Sequence, residues 1–523
     1  MPATFPWLTT LIVVPLVGAA LVWALPGAAR RFARPVAIGV ALLELVLAVV
    51  AALSFDTSAA GTHQLTETHA WIPSFGVSYA VGIDGVGLAL VLLSVLLTPL
   101  VLIAAWREHP DVHDDGLPVI GGSRIRTYVA LVLVLESFMV AVFSARDVFL
   151  FYVLFEAMLI PVYFMIGSFG GLQRRYAAVK FLLFSLAGGL IMLAGVITLY
   201  VHGPQGPQGF LVDNLVGHLD MSVSTERLVF LAFFIAFAIK APMWPVHTWL
   251  PDTAEAAPVG TSVLLVGVLD KVGTFGMLTL CLPLFPEASR WAAPVIIVLA
   301  VISILYGGLL AIGQENLLRL IAYTSVSHFG FIVLGIFAFT SVSVQGASLY
   351  MLNHGLSTGA LFLVAGFLIA RTGSARIADH GGLQKVVPVL AGTFLVAGLS
   401  ALSLPGLSTF VSEFLVLVGT FGAHKAAAVV AAFGVVLAAL YILLTYQRAF
   451  TGPTPEGLST LPDLSVRERW VVGPLIAAML VLGFYPAPAL DLVRDPATVT
   501  LQQVGVADVT PTLASPSDDG SNQ

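Results

Sequence analysis

The sequence predicts an all-α polytopic membrane protein with about fourteen transmembrane helices. Hydrophobic residues make up 58% of the 523 residues and charged residues only 10%, against about 25% charged residues in an average soluble domain. The mean hydropathy of +0.98 is correspondingly high. Apolar runs of about 20 residues, the length that crosses a bilayer as a helix, recur along the whole chain between short polar loops.

The apolar runs set the expected helices. They lie near residues 6–25, 35–54, 78–105, 127–145, 148–168, 176–201, 228–247, 256–283, 292–313, 318–339, 345–370, 388–422, 426–447 and 470–488. After the last run, residues 496–523 are rich in Thr, Ser, Asp, Pro and Gln and contain no helix-length apolar run. We therefore expect this tail to be disordered.

Basic residues predict how the helices are oriented. No basic residue precedes the first run, so we expect a retained first helix rather than a cleaved signal peptide. Arg30, Arg31 and Arg34 follow this run directly, which places their loop in the cytoplasm. If successive loops alternate between the inner and outer sides of the membrane from this point, fifteen of the 23 basic residues lie in inner loops and five in outer loops. We expect both termini on the outer side of the membrane.

Several ionisable side chains fall inside the apolar runs, where each costs about 2.5–3.5 kcal/mol on insertion scales and therefore needs a partner or a purpose. The candidates for moving protons are Glu156, Lys240, Lys271, His328, His354 and Glu413. A structural ion pair or an interhelical hydrogen bond is the alternative for each of them, and it weighs most for the two histidines. For Asp84 and Lys180 a structural role is favoured.

Two of the expected helices contain helix breakers beside these charges. Pro242 and Pro245 follow Lys240 in the seventh helix, and Pro405 with Gly406 precedes Glu413 in the twelfth. Proline lacks the N–H that a helix carbonyl needs, so such breaks require protein or water around them. Two interrupted helices of opposite direction, five helices apart, predict an inverted repeat of helices 4–8 and 9–13. The expected regions are 1–126 (helices 1–3), 127–283 and 284–447 (the repeats), 448–495 (a loop and helix 14) and 496–523 (the tail).

The sequence predicts no redox centre or nucleotide site on this chain. Its single cysteine, Cys281, cannot hold an iron–sulfur cluster, which takes several thiolates. Neither a GxGxxG nor a P-loop pattern occurs. The formal net charge of −6 comes without a basic patch, so no nucleic-acid partner is expected.

The stretch KAPMWPVHTWLPDTAEAAP, followed by Lys271 and VGTFG, resembles the antiporter-like proton-pumping subunits of NADH-quinone oxidoreductase, respiratory complex I, and their relatives in multisubunit cation/proton antiporters. The resemblance covers nearly the whole chain. Three further regions are similar to the chain M group of that family: FEAMLIPVYFMIG, RLIAYTSVSHFG with NHGLSTGALFLVAG, and LPGLSTFVSEFLVL. Glu413 stands where the sister chains L and N usually have lysine.

The resemblance implies a fourteen-helix subunit whose proton-transfer axis runs through the six candidates. It implies that Glu156 and Lys240 form a coupling switch, that Lys271 passes the proton on, and that Glu413 leads to the outer side. Flavin, iron–sulfur clusters and quinone are then expected in partner subunits, with chains L and N and lipid as neighbours. A subunit of a multisubunit sodium/proton antiporter is the alternative. The chain departs from the usual family pattern at Phe155 and at Asp270, where tryptophan and an apolar residue are common.

Overall fold

A computed structural model describes residues 5–105 and 124–508 of the chain. Helices dominate both segments. The longer ones are α1 (Trp7–Ala24), α2 (Ala33–Leu53), α3 (Gly85–Ala104), α4 (Ile125–Ser144), α5 (Val148–Ala157), α6 (Leu159–Phe169), α7 (Arg174–His202), α8 (Val223–Lys240), α9 (Trp249–Ala256), α10 (Val259–Leu284), α11 (Pro286–Ile312), α12 (Leu317–Phe337), α13 (Ser341–Thr372), α14 (Pro388–Ala401), α15 (Ser408–Ala423), α16 (Lys425–Phe450), α17 (Val466–Phe484) and α18 (Ala487–Val504). Short helical turns cover Gly27–Phe32, Thr57–Ala59, Pro73–Phe75, Val212–Leu215, Ile377–Asp379 and Leu383–Val386.

The described helices confirm a polytopic membrane protein. By length and composition, 11 helical segments could each cross a bilayer, or up to 12 if the bent pair α17 and α18 forms one span. The shorter apolar helices α14 and α15 come in addition.

The expectation of an all-α chain is wrong at one place. Strands β1 (Gln64–Ile72) and β2 (Val77–Ile83) form an antiparallel two-stranded sheet before α3. The third expected helix was placed from residue 78, but α3 begins only at Gly85, because the Asp84 side chain accepts the Gly87 N–H at 2.7 Å as an N-cap. The apolar composition of β2 had hidden this boundary. Asp84 thus has the structural role that was expected.

The expected disorder of the tail is also wrong for its first residues. Residues 487–504 form α18, which is bent by 69° from α17 and has Pro496 inside it. Its buried residues Val493, Ala497 and Leu501 follow a four-residue spacing, so α18 packs through one apolar stripe rather than being apolar all round. Such a helix escapes a search for continuous apolar runs. Residues 509–523 lie outside the described segments.

The three most enclosed long helices, α10, α12 and α13, carry Lys271, His328 and His354. In α10 and α12 94% of the residues in the spanning window are buried, and in α13 89%, whereas the figure for α1 is 33% and for α16 33%. The peripheral helices expose large apolar side chains, as expected for surfaces facing lipid. The centre of the helical assembly is therefore the region most shielded from lipid.

Both regions with helix breakers are interrupted. Helix α8 ends at Lys240 and the chain becomes helical again only at Trp249, while α14 ends at Ala401 and α15 begins at Ser408. Gly406 has a φ of 93° in the second interruption, a conformation that glycine adopts without strain.

Candidate functional site

The six predicted residues lie on helices that meet in the interior. Glu156 is on α5, Lys240 ends α8, Lys271 is midway along α10, His328 is on α12, His354 is on α13 and Glu413 is on α15. Apart from the half-buried Glu156, each side chain is at most 3% exposed. The structure brings four of the six, Lys271, His354, His328 and Glu413, into one connected group. Glu156 and Lys240 lie outside this contact series.

Glu156 and Lys240 carry opposite charges but do not form a direct ion pair. Their charged atoms are more than 4.0 Å apart, the limit for such a pair, although the two groups interact electrostatically. The Lys240 ammonium instead lies 5.0 Å from the centroid of the Phe155 ring and 5.9 Å from that of Phe181, within the range of a cation–π contact. Neither Lys240 Nζ nor Glu156 Oε1 has a hydrogen-bond partner among the described residues.

A glycine on α7, Gly189, leaves room for the Glu156 side chain. A Cβ atom built on Gly189 would overlap the Glu156 carboxylate. Only a residue without a side chain therefore lets this carboxylate rest against α7, a close helix approach of the kind that small residues permit in membranes. Gly189 escaped sequence reasoning, because nothing local links it to Glu156.

The carbonyl groups freed by the helix interruption after Lys240 have other hydrogen-bond donors. Pro242 cannot donate to Ala238, and the Ala238 carbonyl instead accepts the Met243 N–H at 3.1 Å. The Ile239 carbonyl accepts the indole N–H of Trp249 at 2.9 Å. Trp249 is completely buried, so it does not lie at the membrane interface as an aromatic anchor. Its role is to satisfy the broken helix beside the lysine.

Lys271 is held by a wide turn of its own helix. The segment Leu265–Leu269 is π-helical, and the Asp270 N–H bonds to the carbonyl of Leu265 at 3.0 Å. This register releases the Val266 carbonyl from its usual α-helical donor, and the Lys271 ammonium donates to it. The same ammonium lies 2.7 Å from His354 Nδ1 on α13. Lysine and histidine are thus in direct hydrogen-bond contact.

From His354 the group continues to Glu413. The His354 and His328 rings meet edge to face with centroids 5.2 Å apart, and the Tyr350 ring lies tilted by 39° against the His328 ring with centroids 5.9 Å apart. The Tyr350 hydroxyl donates to Glu413 Oε2 at 2.7 Å, and the Ser403 hydroxyl donates to the same oxygen at 2.5 Å. Ser403 has a left-handed φ of 60° in the interruption before α15, a strained conformation typical of functional sites.

Sequence reasoning missed Tyr350 and Ser403, and also Tyr441, whose hydroxyl lies 3.2 Å from His328 Nε2. Tyrosine and serine are uncharged, so a search for charges at membrane depth passes over them. The spacing of Tyr350 four residues before His354 was the available signal, since residues four apart share a helix face. Close packing of α13 on α15 completes the contact, because a Cβ atom on Gly346 would meet the Val416 N atom and the Ser412 carbonyl.

Most of these buried groups have an atom that the described residues leave without a hydrogen-bond partner. The atoms are Glu156 Oε1, Lys240 Nζ, both carboxylate oxygens of Asp270, His328 Nδ1, His354 Nε2 and Glu413 Oε1. Buried polar atoms of this kind normally bond to water. The arrangement is suited to passing protons between titratable side chains through water.

A separate ion cluster joins α7, α9 and α12. Lys180 and Arg319 each lie 2.6 Å from an oxygen of Asp252, and Arg319 also lies 2.9 Å from Glu255. Burial alone would raise the pKa of Asp252, but the hydrogen bonds from Lys180 and Arg319 outweigh it and hold the pKa below its usual value of 3.8. This contact gives Lys180 the structural role that was expected.

Replacing Asp252 with asparagine should destabilise the chain by about 1–2 kcal/mol, because Lys180 loses its charged partner and Arg319 keeps only Glu255. Since the folded pKa of Asp252 is lowered, its contribution should be complete at neutral pH and lost as the pH falls below about 3.8. Thermal unfolding of the assembled complex measures the change. Asp220→Asn, at an exposed aspartate, is the control, and equal melting temperatures for both variants would refute the role of the cluster.

Comparison with known proteins places this architecture in a family. The model of the NADH:quinone oxidoreductase/Mrp antiporter transmembrane family matches residues 145–440. The chain is 49% identical to NADH-quinone oxidoreductase subunit M of Mycobacterium tuberculosis, over 98% of this chain and 97% of the relative. It is 38% identical to subunit M of Rhodobacter capsulatus, over 89% and 90% of the two chains.

Solved structures agree with this placement. A chain of respiratory complex I from Thermus thermophilus superposes with a TM-score of 0.85 at 31% identity and covers 95% of this chain and 100% of that one. A chain of the Mrp complex from Dietzia sp. DQ12-45-1b has a TM-score of 0.81 at 23% identity, covering 95% and 99%, which shows a shared fold. The chain therefore belongs to the subunit M family of NADH-quinone oxidoreductase, respiratory complex I.

Proposed function

We propose that this chain is the proton-translocating membrane subunit of an NADH-quinone oxidoreductase, and that it moves protons along the buried row from Glu156 to Glu413. The observation that carries the proposal is the contact series from Lys271 through His354, His328 and Tyr350 to Glu413. Burying so many ionisable groups at membrane depth is costly, and groups of this kind typically mark ion pathways and proton relays.

Each group has a definite task in this proposal. Glu156 and Lys240 form the coupling switch, because a change in the charge of the carboxyl alters how tightly Lys240 holds its proton. Lys271 delivers a proton to His354, which it already contacts. His328 and Glu413 complete the route towards the outer side. Tyr350 and Ser403 orient the Glu413 carboxyl by donating hydrogen bonds to one of its oxygens.

The interrupted helices give the route its architecture. In the proposal the α8 interruption and the α14–α15 interruption are equivalent breaks in two inverted five-helix repeats, within a total of about fourteen spans. Support comes from the placement of a titratable group at each break: Lys240 ends α8, and Glu413 lies in the first half of α15.

The chain needs partners for the redox half of the reaction. Flavin, iron–sulfur clusters and quinone would be held by other subunits, and chains L and N with lipid would flank this one. Among the described residues, no three side chains of His, Cys, Asp or Glu converge as a metal site. Both termini would lie outside a bacterial plasma membrane. This arrangement assigns proton movement to the present chain and electron transfer to its partners.

A subunit of a multisubunit sodium/proton antiporter is the second candidate, and the fold shared with the Mrp chain is what favours it. The 49% identity with a subunit M over nearly the full length weighs against it. The two functions differ in their driving force, because an antiporter would move protons against sodium without NADH.

Lys271→Met tests the proposal, because methionine keeps an unbranched side chain but cannot carry a proton. In membrane vesicles containing the assembled complex, NADH-driven proton transport should fall by about tenfold or more, since positioned proton-transfer groups typically contribute about 10²–10⁴-fold in rate. Lys385→Met, at an exposed lysine, is the matched control. Unchanged transport in the assembled Lys271 variant would refute the proposal, and transport that needs a sodium gradient instead of NADH would favour the antiporter.

A further inference from the structure

Asp270 is a buried carboxyl that the proposed route does not use. It lies in α10 directly after the π-helical turn Leu265–Leu269, and its exposed fraction is 0%. Neither of its carboxylate oxygens has a hydrogen-bond partner among the described residues. An isolated carboxylate in such a place is strongly disfavoured unless it is protonated, paired or hydrated. The position therefore needs an explanation beyond packing.

The helix face that carries Asp270 is turned towards Lys240. Gly273, three residues further on and on the same face, is so close to α8 that a Cβ atom there would meet the Phe237 carbonyl and the Ala241 nitrogen. These two atoms bracket Lys240, the last residue of α8. Asp270 is thus placed on the side of α10 that packs against the end of α8.

Lys271 is turned the other way. Successive residues on a helix are about 100° apart, and the Lys271 ammonium contacts His354 on α13. The Asp270 carboxyl nevertheless interacts electrostatically with both Lys240 and Lys271. A carboxyl therefore stands between two lysines whose ammonium groups point to different neighbours.

We propose that Asp270 is an additional proton-transfer residue that carries protons from Lys240 to Lys271, a role that rests on the proposed function of the chain. In the first step an N–H bond of the Lys240 ammonium breaks and an O–H bond forms on the Asp270 carboxylate, directly or through one water. Lys240 becomes a neutral amine and Asp270 a neutral acid. In the second step the O–H bond breaks and an N–H bond forms on neutral Lys271, which restores the carboxylate and creates the ammonium.

A fixed counter-ion is the competing explanation. A carboxylate that only neutralises Lys271 would never need to be protonated, and asparagine could not replace its charge. A relay must instead exist in both protonation states during turnover. The two explanations therefore differ in whether the carboxyl of Asp270 changes its protonation while the complex works.

Asp270→Asn and Asp270→Glu in the assembled complex provide the test, with Asp220→Asn as the control at an exposed aspartate. We expect NADH-driven proton transport in inverted vesicles to fall by about tenfold with asparagine and to be retained in large part with glutamate, which keeps a titratable carboxyl. Normal transport with asparagine would overturn the proposal, as would an equal loss with both substitutions in assembled complexes.

A spectroscopic measurement distinguishes a relay from a fixed counter-ion, because only a relay becomes protonated during turnover. Infrared difference spectra of the unmodified complex under turnover should contain a protonated-carboxyl band that shifts when aspartate is labelled with carbon-13, and this band should be missing in Asp270→Asn. Its absence from the unmodified complex would overturn the relay. Lys271→Met separates the two proposals: if that variant loses transport while Asp270→Asn keeps it, only the relay fails, whereas normal transport in both refutes the proposed function itself.

Discussion

Replacing Glu413 with glutamine should suppress most NADH-driven proton transport while leaving the complex assembled. Glutamine keeps the shape of the side chain and an oxygen that can accept the hydrogen bonds from Tyr350 and Ser403. It cannot take up or release a proton at working pH, so a loss on the order of tenfold or more is expected. Acidification of inverted vesicles measures transport, and native gels measure assembly.

Two further substitutions show whether titration is the cause. Glu413→Asp retains a carboxyl that is one methylene shorter and should keep much of the activity. Glu468→Gln makes the same chemical change in a structural ion pair, where Glu468 Oε2 lies 2.6 Å from Arg371, and it should weaken assembly more than transport. If glutamine at Glu413 pumps as well as glutamate while aspartate does not, packing explains the residue.

Sequence reasoning located most helices because the bilayer imposes a simple rule on them. A spanning segment must be long, apolar and internally hydrogen bonded, and those properties can be read from composition alone. The rule gave a wrong helix boundary at β2 and overlooked α18. Strand β2 is apolar and runs straight into α3, so only the capping contact of Asp84 reveals the boundary. Helix α18 is apolar on one face only.

Only the ionisable residues of the candidate site could be predicted from the sequence. All six candidates were found because an ionisable group at membrane depth is conspicuous, yet the contacts among them depend on packing. Tyr350 reaches Glu413 across 63 residues of sequence, and the Lys240 ammonium lies 5.0 Å from the centroid of the Phe155 ring, a contact that the charge pattern does not indicate. A further ionisable residue outside the six candidates, Glu136, lies in the interior of α4 and is fully buried.

The pairing of Glu156 and Lys240 gives the second large expected effect. Glu156→Gln and Lys240→Ala should each leave the complex assembled but suppress proton transport by about tenfold, and with it the coupled reduction of quinone. The reason is electrostatic: the two groups interact without touching, so either substitution removes the change in charge that the other one responds to. Transport and quinone reduction should be measured on the same vesicles.

A change on α7 separates this electrostatic role from packing around the pair. The added methyl group of Gly189→Ala would overlap the Glu156 carboxylate and force it away from α7, while both charged side chains remain present. We expect transport in this variant to fall as well, because the interaction of Glu156 with Lys240 depends on their separation. Gly392→Ala is the matched control, since a Cβ atom there meets nothing within 4 Å. Near-normal pumping by the assembled Glu156→Gln and Lys240→Ala complexes would show that the pair is only structural. A defect in those two variants together with normal pumping by Gly189→Ala would show that the exact position of the carboxylate is unimportant.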